Sequence, residues 1–190
     1  MAKAKDLKKA LEYSPKNAWE STHYNSKELE ALSKSYCRFI SENKTEREVV
    51  IAITDLVKKA GFHEKTGNSF YMVNRHKNIA VVRIGERDLS RGVKLIMAHV
   101  DSPRLDLKQN PLYEDTQLAF FKTHYYGGIK KYQWVTRPLA LHGVVLLKSG
   151  KTLSISVGER DSDPVFFISD LLPHLSHKAQ DDKKIHEAIP

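Results

Sequence analysis

The 190-residue sequence has very little cysteine, and it lacks any long apolar run. Cys37 is the single cysteine, so an internal disulfide is excluded, and a reducing compartment fits this composition best. No apolar run approaches the roughly 18 residues of a membrane span. Residues 1–9 lack the apolar core of a signal peptide. We therefore expect a cytoplasmic protein with no membrane segment.

Several common catalytic motifs are also missing. The sequence contains neither Gly-x-Gly-x-x-Gly nor Gly-x-Ser-x-Gly. The tripeptide at 150–152 resembles the end of a phosphate-binding loop, but Val145 stands where that motif needs glycine. The dipeptide at 63–64 begins like a helical zinc-protease motif, but Gly67 replaces its second histidine. These patterns indicate neither nucleotide binding nor a serine nucleophile.

The chain is basic overall, with a formal net charge of +8 and a pI of about 9.4. A basic balance favours nucleic acid or acidic substrates as partners. The lysines are dispersed along the chain, however, and each pair fits an ordinary solvated face. The aromatic and basic run at 125–137 could stack bases, but buried β-strand aromatics explain it better. Nucleic-acid binding is therefore disfavoured.

Two amphipathic helices are predicted in the first third of the chain. Asn25 and Glu28 form a capping-box pattern before a helix that should end near Asn43. Thr45 and Glu48 repeat the pattern before a second apolar stripe, which should stop at Gly61.

Strand patterns follow the helices. Apolar runs at 70–73 and 79–84 predict a hairpin, and residues 93–98 predict a buried central strand. After Pro103, alternation over 104–158 predicts antiparallel β-structure. The whole pattern indicates an α/β protein with a mixed sheet followed by a β-rich module.

His99 and Asp101 stand at the end of the predicted central strand. Alternate residues of a strand share a face, so both side chains should point the same way. A histidine can give one ring nitrogen to a metal while a carboxylate fixes the other. The alternative is that the pair has no function, because polar residues often end strands and a His-x-Asp pair often arises by chance. The position between two modules, where pockets tend to form, favours function.

Longer blocks carry a family resemblance. The stretch Ala98-His-Val-Asp-Ser-Pro-Arg-Leu-Asp-Leu-Lys108 resembles the aspartyl aminopeptidase and aminopeptidase I family of dizinc metallopeptidases. The likeness continues at 125–134, 137–143 and 172–174, and the segment with Trp19 also looks like the start of that family. The resemblance therefore covers nearly the whole chain.

The resemblance implies a fold and a set of partners. Members are cytoplasmic exopeptidases that remove N-terminal residues from peptides. Their α/β catalytic domain is interrupted by an inserted β-rich domain that drives homo-oligomerisation, typically into dodecamers. Residues 1–103 would be the N-terminal part of the catalytic domain. Residues 104–190 would be the first part of the inserted oligomerisation domain.

The resemblance also implies roles for three residues. His99 corresponds to a zinc ligand, and Asp101 corresponds to the catalytic-site carboxylate that orients it. His174 looks like the inserted-domain histidine that contacts substrate in a neighbouring subunit. The complete enzyme holds two zinc ions, and the remaining ligands and the glutamate base would lie beyond Pro190. The chain alone is therefore expected to be inactive. The alternative is a non-catalytic, truncated relative that serves as an interaction or assembly module.

Overall fold

The computed structural model describes Leu7, residues 11–13, Pro15, residues 17–20, residues 25–177, Gln180 and residues 183–184. The chain is divided into two compact units, Met1–Glu42 and Asn43–Pro190. The domain boundary predicted between residues 103 and 104 falls inside the second unit and stays a prediction.

The first unit contains helix α1, Ser26–Glu42. Its bounds confirm the predicted helix. Asn25 caps it, because the Asn25 side-chain oxygen accepts a hydrogen bond from the backbone N–H of Lys27 at 3.0 Å. The Asn25 amide also donates to the Glu28 carboxylate at 3.3 Å. Asn25 thus caps the backbone N–H of Lys27 and not that of Glu28. This arrangement differs from the reciprocal capping box that the spacing predicted.

Helix α2, Glu46–Lys59, opens the second unit with a complete capping box. The Thr45 hydroxyl accepts from the Glu48 N–H at 3.3 Å, and the Glu48 carboxylate accepts from the Thr45 N–H at 2.9 Å. The helix ends before Gly61, whose φ of +82° suits a residue without a side chain. Both predicted ends of this helix are confirmed.

A three-stranded sheet lies against α2. Its strands are β1 (His63–Glu64), β2 (Ser69–Asn74) and β3 (Asn78–Arg83), in that spatial order. β1 is parallel to β2, and β2 and β3 form the predicted antiparallel hairpin. Val50 of α2 and Tyr71 of β2 are 1% and 4% exposed, and they form the buried core of the described residues.

The predicted central strand at 93–98 is wrong for this structure. Residues 92–103 form neither helix nor strand, and Ile96 is 93% exposed. A buried strand needs hydrogen-bonded neighbours on its edges. The sheets formed by the described residues offer none to this segment. Its apolar side chains therefore lie in solvent.

Two antiparallel pairs make up the β-rich part and confirm the prediction for 104–158. One pair joins β4 (Arg104–Asp115) and β5 (Leu118–Tyr126), and the other joins β6 (Leu141–Leu146) and β7 (Thr152–Val157). In the first pair, residues 108–111 of β4 lie opposite Lys122 alone, which makes a wide bulge. Pro111 lies in that bulge and has no N–H to give to the ladder.

The described helices end with α3, Pro173–Ser176. No helix among the residues that the structure describes combines the length and the apolar character needed to cross a membrane.

Candidate functional site

His99 and Asp101 are paired in the segment that precedes β4. The Nδ1 atom of His99 lies 3.1 Å from Oδ1 of Asp101. The His99 side chain is 95% exposed, so this carboxylate is the partner that orients the ring. Because Nδ1 faces the carboxylate, Nε2 is the ring nitrogen that remains for another ligand. The structure thus brings the two predicted site residues together.

Tyr126, the last residue of β5, holds the other oxygen of Asp101. Its hydroxyl donates to Oδ2 of Asp101 at 2.7 Å. This hydrogen bond and the one to His99 lower the pKa of Asp101 below its ordinary value. The same bond raises the pKa of Tyr126, because the neutral hydroxyl is the better partner for a carboxylate. Asp101 is therefore an ionised acceptor at neutral pH.

Arg104 fixes the ring of Tyr126. The two residues are directly opposite each other in the β4–β5 pair, and the guanidinium lies 4.2 Å from the ring centroid. Arg104 also donates through Nε to Asp106 at 2.7 Å. Its Nη1 forms an ion pair with Glu46 of α2 at 3.3 Å. The chain of contacts from His99 therefore reaches the first turn of α2, where Glu46 also pairs with Lys77.

A second polar cluster centres on His142 of β6. Its Nδ1 lies 2.8 Å from Glu48, and its Nε2 lies 2.7 Å from Glu159, which also pairs with Lys44. Burial alone would lower the pKa of His142, but the two carboxylates outweigh it and raise that pKa. His142 therefore bridges two carboxylates and serves a structural, hydrogen-bonding role.

His174 is exposed on α3. Within the described part of the chain, no hydrogen bond joins it to His99 or to Asp101. Its predicted role concerns a neighbouring subunit, so that role stays a prediction.

The residues described by the structure contain no group of three or more His, Cys, Asp or Glu side chains arranged to hold a metal ion. Zinc is usually held by three or four protein ligands. His99 fits the part of one such ligand, because its Nδ1 is bonded to a carboxylate and its ring is otherwise exposed. The other ligands are not found among these residues.

Sequence reasoning missed Tyr126, Arg104 and Glu46. The aromatic run that includes Tyr126 was predicted to be buried, and this is wrong for Tyr125, Tyr126 and Tyr132, which are all exposed. For Tyr125 and Tyr126 the reason is that, among the described residues, β4 and β5 pair only with each other. The sequence carried one signal, since Tyr126 and Arg104 lie in two blocks of the family resemblance.

Known proteins resemble this chain over almost its whole length. The family described as aminopeptidase I zinc metalloprotease (M18) matches residues 39–189. The probable M18 family aminopeptidase 1 of Clostridium acetobutylicum is 48% identical over 188 residues, which cover 92% of this chain. The crystal structure of an M18 family aminopeptidase from Thermotoga maritima is 45% identical, with a TM-score of 0.82 over 94% of this chain.

A more distant structure shares the fold alone. The mApe1 dodecamer of S. cerevisiae is 23% identical, with a TM-score of 0.64, and the match covers 76% of this chain and 36% of that one. This chain also covers only part of the length of its more similar relatives. This chain spans 40% of the C. acetobutylicum relative and 41% of the T. maritima chain.

The family match extends over most of the chain and includes the paired His99 and Asp101. The description of the family names zinc, so zinc is the metal that the comparison supports. The mixed arrangement of helices and strands agrees with the solved relatives. The chain belongs to the aminopeptidase I (M18) family of zinc metalloproteases.

Proposed function

We propose that the protein containing this chain is a zinc-dependent aminopeptidase, which removes N-terminal residues from peptides. The pairing of His99 with Asp101, in a chain that belongs to a zinc metalloprotease family, carries the proposal. An exposed imidazole whose Nδ1 is bonded to a carboxylate is prepared to bind a metal through Nε2.

Each of three residues has a part in this proposal. Asp101 keeps the proton of His99 on Nδ1, so that Nε2 presents its lone pair. His99 would hold one of two zinc ions. When bound, zinc polarises the scissile carbonyl and lowers the pKa of a bound water. His174 would contact the peptide in a neighbouring subunit. The remaining ligands and the general base are not assigned to residues of this chain, which by itself would be inactive.

The architecture that we propose follows the resemblance. Residues 1–103 would belong to the catalytic domain, and residues 104–190 would belong to the inserted oligomerisation domain. The protein would form a homo-oligomer in the cytoplasm, and a dodecamer is the form that the resemblance favours. The exposed apolar residues of β4 and β5, such as Leu112 and Leu118, agree with a surface that other subunits cover.

His99→Ala tests the proposal. In the longest protein that the gene encodes, we expect this variant to lose zinc from one site and most of its peptidase rate, because a zinc ligand is removed. His63→Ala is the matched control, since His63 is exposed on β1. Bound zinc is counted by elemental analysis, and the rate is followed on a panel of aminoacyl substrates. Unchanged zinc content together with an unchanged peptidase rate would contradict the assignment of His99 as a zinc ligand.

Mixed oligomers test the role of His174. A His174→Ala subunit keeps its zinc ligand, and a His99→Ala subunit keeps its His174. If His174 serves a neighbouring site, co-expression of the two inactive variants should restore part of the peptidase rate. Each variant expressed alone is the control. No recovery in oligomers shown by mass to contain both subunits would contradict the shared site.

A non-catalytic assembly module is the second candidate. The described residues contain no group of three or more His, Cys, Asp or Glu side chains that could hold a metal ion, and this observation favours it. The reading frame after Pro190 separates the two candidates. A continuing frame with further Asp, Glu and His motifs supports the enzyme, and a stop codon supports the module.

A further inference from the structure

Asp101 is held at both ends of its carboxylate. His99 Nδ1 lies against Oδ1, and the Tyr126 hydroxyl donates to Oδ2 at the shorter distance of 2.7 Å. An aspartate bonded only to an exposed histidine can turn about its side-chain torsions and lose the pairing. A second bond, on the other oxygen, restricts that rotation.

The position of the Tyr126 hydroxyl is itself well determined. Tyr126 is paired with Arg104 across the β4–β5 ladder, and its ring lies under the Arg104 guanidinium. Arg104 is tied to Glu46 and to Asp106. Gly127 follows at a φ of +72°, and a Cβ there would lie 3.5 Å from the Pro103 side chain. The hydroxyl thus projects from a strand end held on several sides.

We propose that Tyr126 is a positioning residue of the zinc site, whose hydroxyl holds Asp101 in the orientation that keeps the proton on His99 Nδ1 and leaves Nε2 for the metal. The inference rests on the proposed function, because it assigns a supporting residue to that same site. Tyr126 acts through Asp101 and need not touch metal or peptide. The β-rich part of the chain therefore contributes directly to the geometry of the histidine.

Tyr126→Phe is the test, because phenylalanine keeps the ring under Arg104 and removes only the hydroxyl. In the longest protein that the gene encodes, we expect zinc affinity to fall about tenfold, the lower end of the loss seen when a ligand-orienting group is removed. The kcat should fall while KM for the peptide stays unchanged. Chelator competition measures the affinity. Tyr125→Phe is the matched control, since neighbouring strand residues point to opposite faces.

Two further measurements separate positioning from general damage. Nitrogen NMR of labelled histidine in the metal-free protein should show His99 protonated on Nδ1 in wild type and as a mixture of tautomers in Tyr126→Phe. In the Asp101→Asn background, Tyr126→Phe should cause no additional loss of zinc affinity, because its action passes through the carboxylate of Asp101.

Each outcome decides the inference. Wild-type affinity and an unchanged tautomer in Tyr126→Phe would overturn it, and so would equal losses in Tyr125→Phe or additive losses in the double variant. If His99→Ala still removes zinc, those results leave the proposed function standing. Retention of zinc and activity by His99→Ala would instead remove the proposed function, and the present inference with it.

Discussion

Asp101 accepts one hydrogen bond from a histidine two residues away and another from a tyrosine 25 residues away. The near contact follows from local chain geometry, and the distant contact requires β5 to return beside β4. The histidine–carboxylate pair is therefore a local feature, whereas its rigidity depends on tertiary structure. The charge of the carboxylate matters as well as its place, because an ionised acceptor favours the proton on Nδ1.

Asp101→Asn should separate charge from shape. The carboxamide has nearly the same outline, but it can turn its NH2 group toward His99 and favour the wrong tautomer. We expect zinc affinity in the longest encoded protein to fall about 10- to 100-fold. Chelator competition measures the change, with exposed Asp161→Asn as the control. Equal affinities for all three proteins would show that Asp101 does not orient the metal ligand.

The first turn of α2 contacts both β pairs. Glu46 forms an ion pair with Arg104 of β4, and Glu48 accepts from His142 of β6 while it completes the capping box. The first turn of α2 therefore completes the N-terminal cap of the helix and also binds one residue from each of two strands. Carboxylates at a helix N-terminus are also favoured by the helix dipole.

His142→Ala should destabilise the protein by about 1–3 kcal/mol, because two charge-assisted hydrogen bonds are lost. The effect should depend on pH. The raised pKa of His142 means that its contribution is complete below its ordinary value of 6.5 and is lost as pH rises through the folded-state value. The lowered pKa values of Glu48 and Glu159 mean that the stability contributed by these carboxylates is complete above their ordinary value of 4.5. That contribution is lost as pH falls. The difference should therefore be largest between these two values.

Thermal melts of the longest encoded protein, as wild type and as His142→Ala, across that pH range check this expectation. His124→Ala, at an exposed position of β5, is the matched control. A stability difference that stays constant from acid to alkaline pH would show that the ion pairs do not contribute as described.

Across the described residues, exposed apolar surface is abundant and the buried core is small. Leu95, Ile96 and Met97 are all exposed, whereas Val50 and Tyr71 are the buried hydrophobic residues found among those described. Large apolar patches on a soluble chain normally mark contacts with other protein surfaces. The exposed segment at 93–98 is also the one that the sequence predicts to be a buried strand.

The 190-residue chain expressed by itself should consequently aggregate or unfold without a sharp transition. We expect it to bind a hydrophobic dye at low temperature and to melt broadly, because too little apolar surface is buried to offset chain entropy. Light scattering and calorimetry provide the measurement. A monomeric chain with a single sharp transition would contradict this expectation.

Local patterns predicted most of the regular structure. Thr45 and Glu48 sit at the spacing of a capping box, and the hydrogen bonds of that box form. The runs around Tyr71 and Val81 pair as the expected hairpin. These predictions succeed because caps, apolar periodicity and turns depend on residues a few positions apart. The prediction of a strand at 93–98 fails because a buried strand needs neighbouring strands, and these lie outside its own sequence.

The amino-acid sequence alone was enough to identify the family, the two long helices, the capping box of α2, the hairpin of β2 and β3, and the adjacency of His99 to Asp101. Three contacts became visible only in the folded chain: Tyr126 donates to the second oxygen of Asp101, Arg104 and Glu46 support Tyr126, and His142 bridges two carboxylates. All three join residues that are far apart in the sequence. A hydrogen bond between residues far apart in the chain exists only once β-strand register and helix packing have brought its two atoms within about 3 Å.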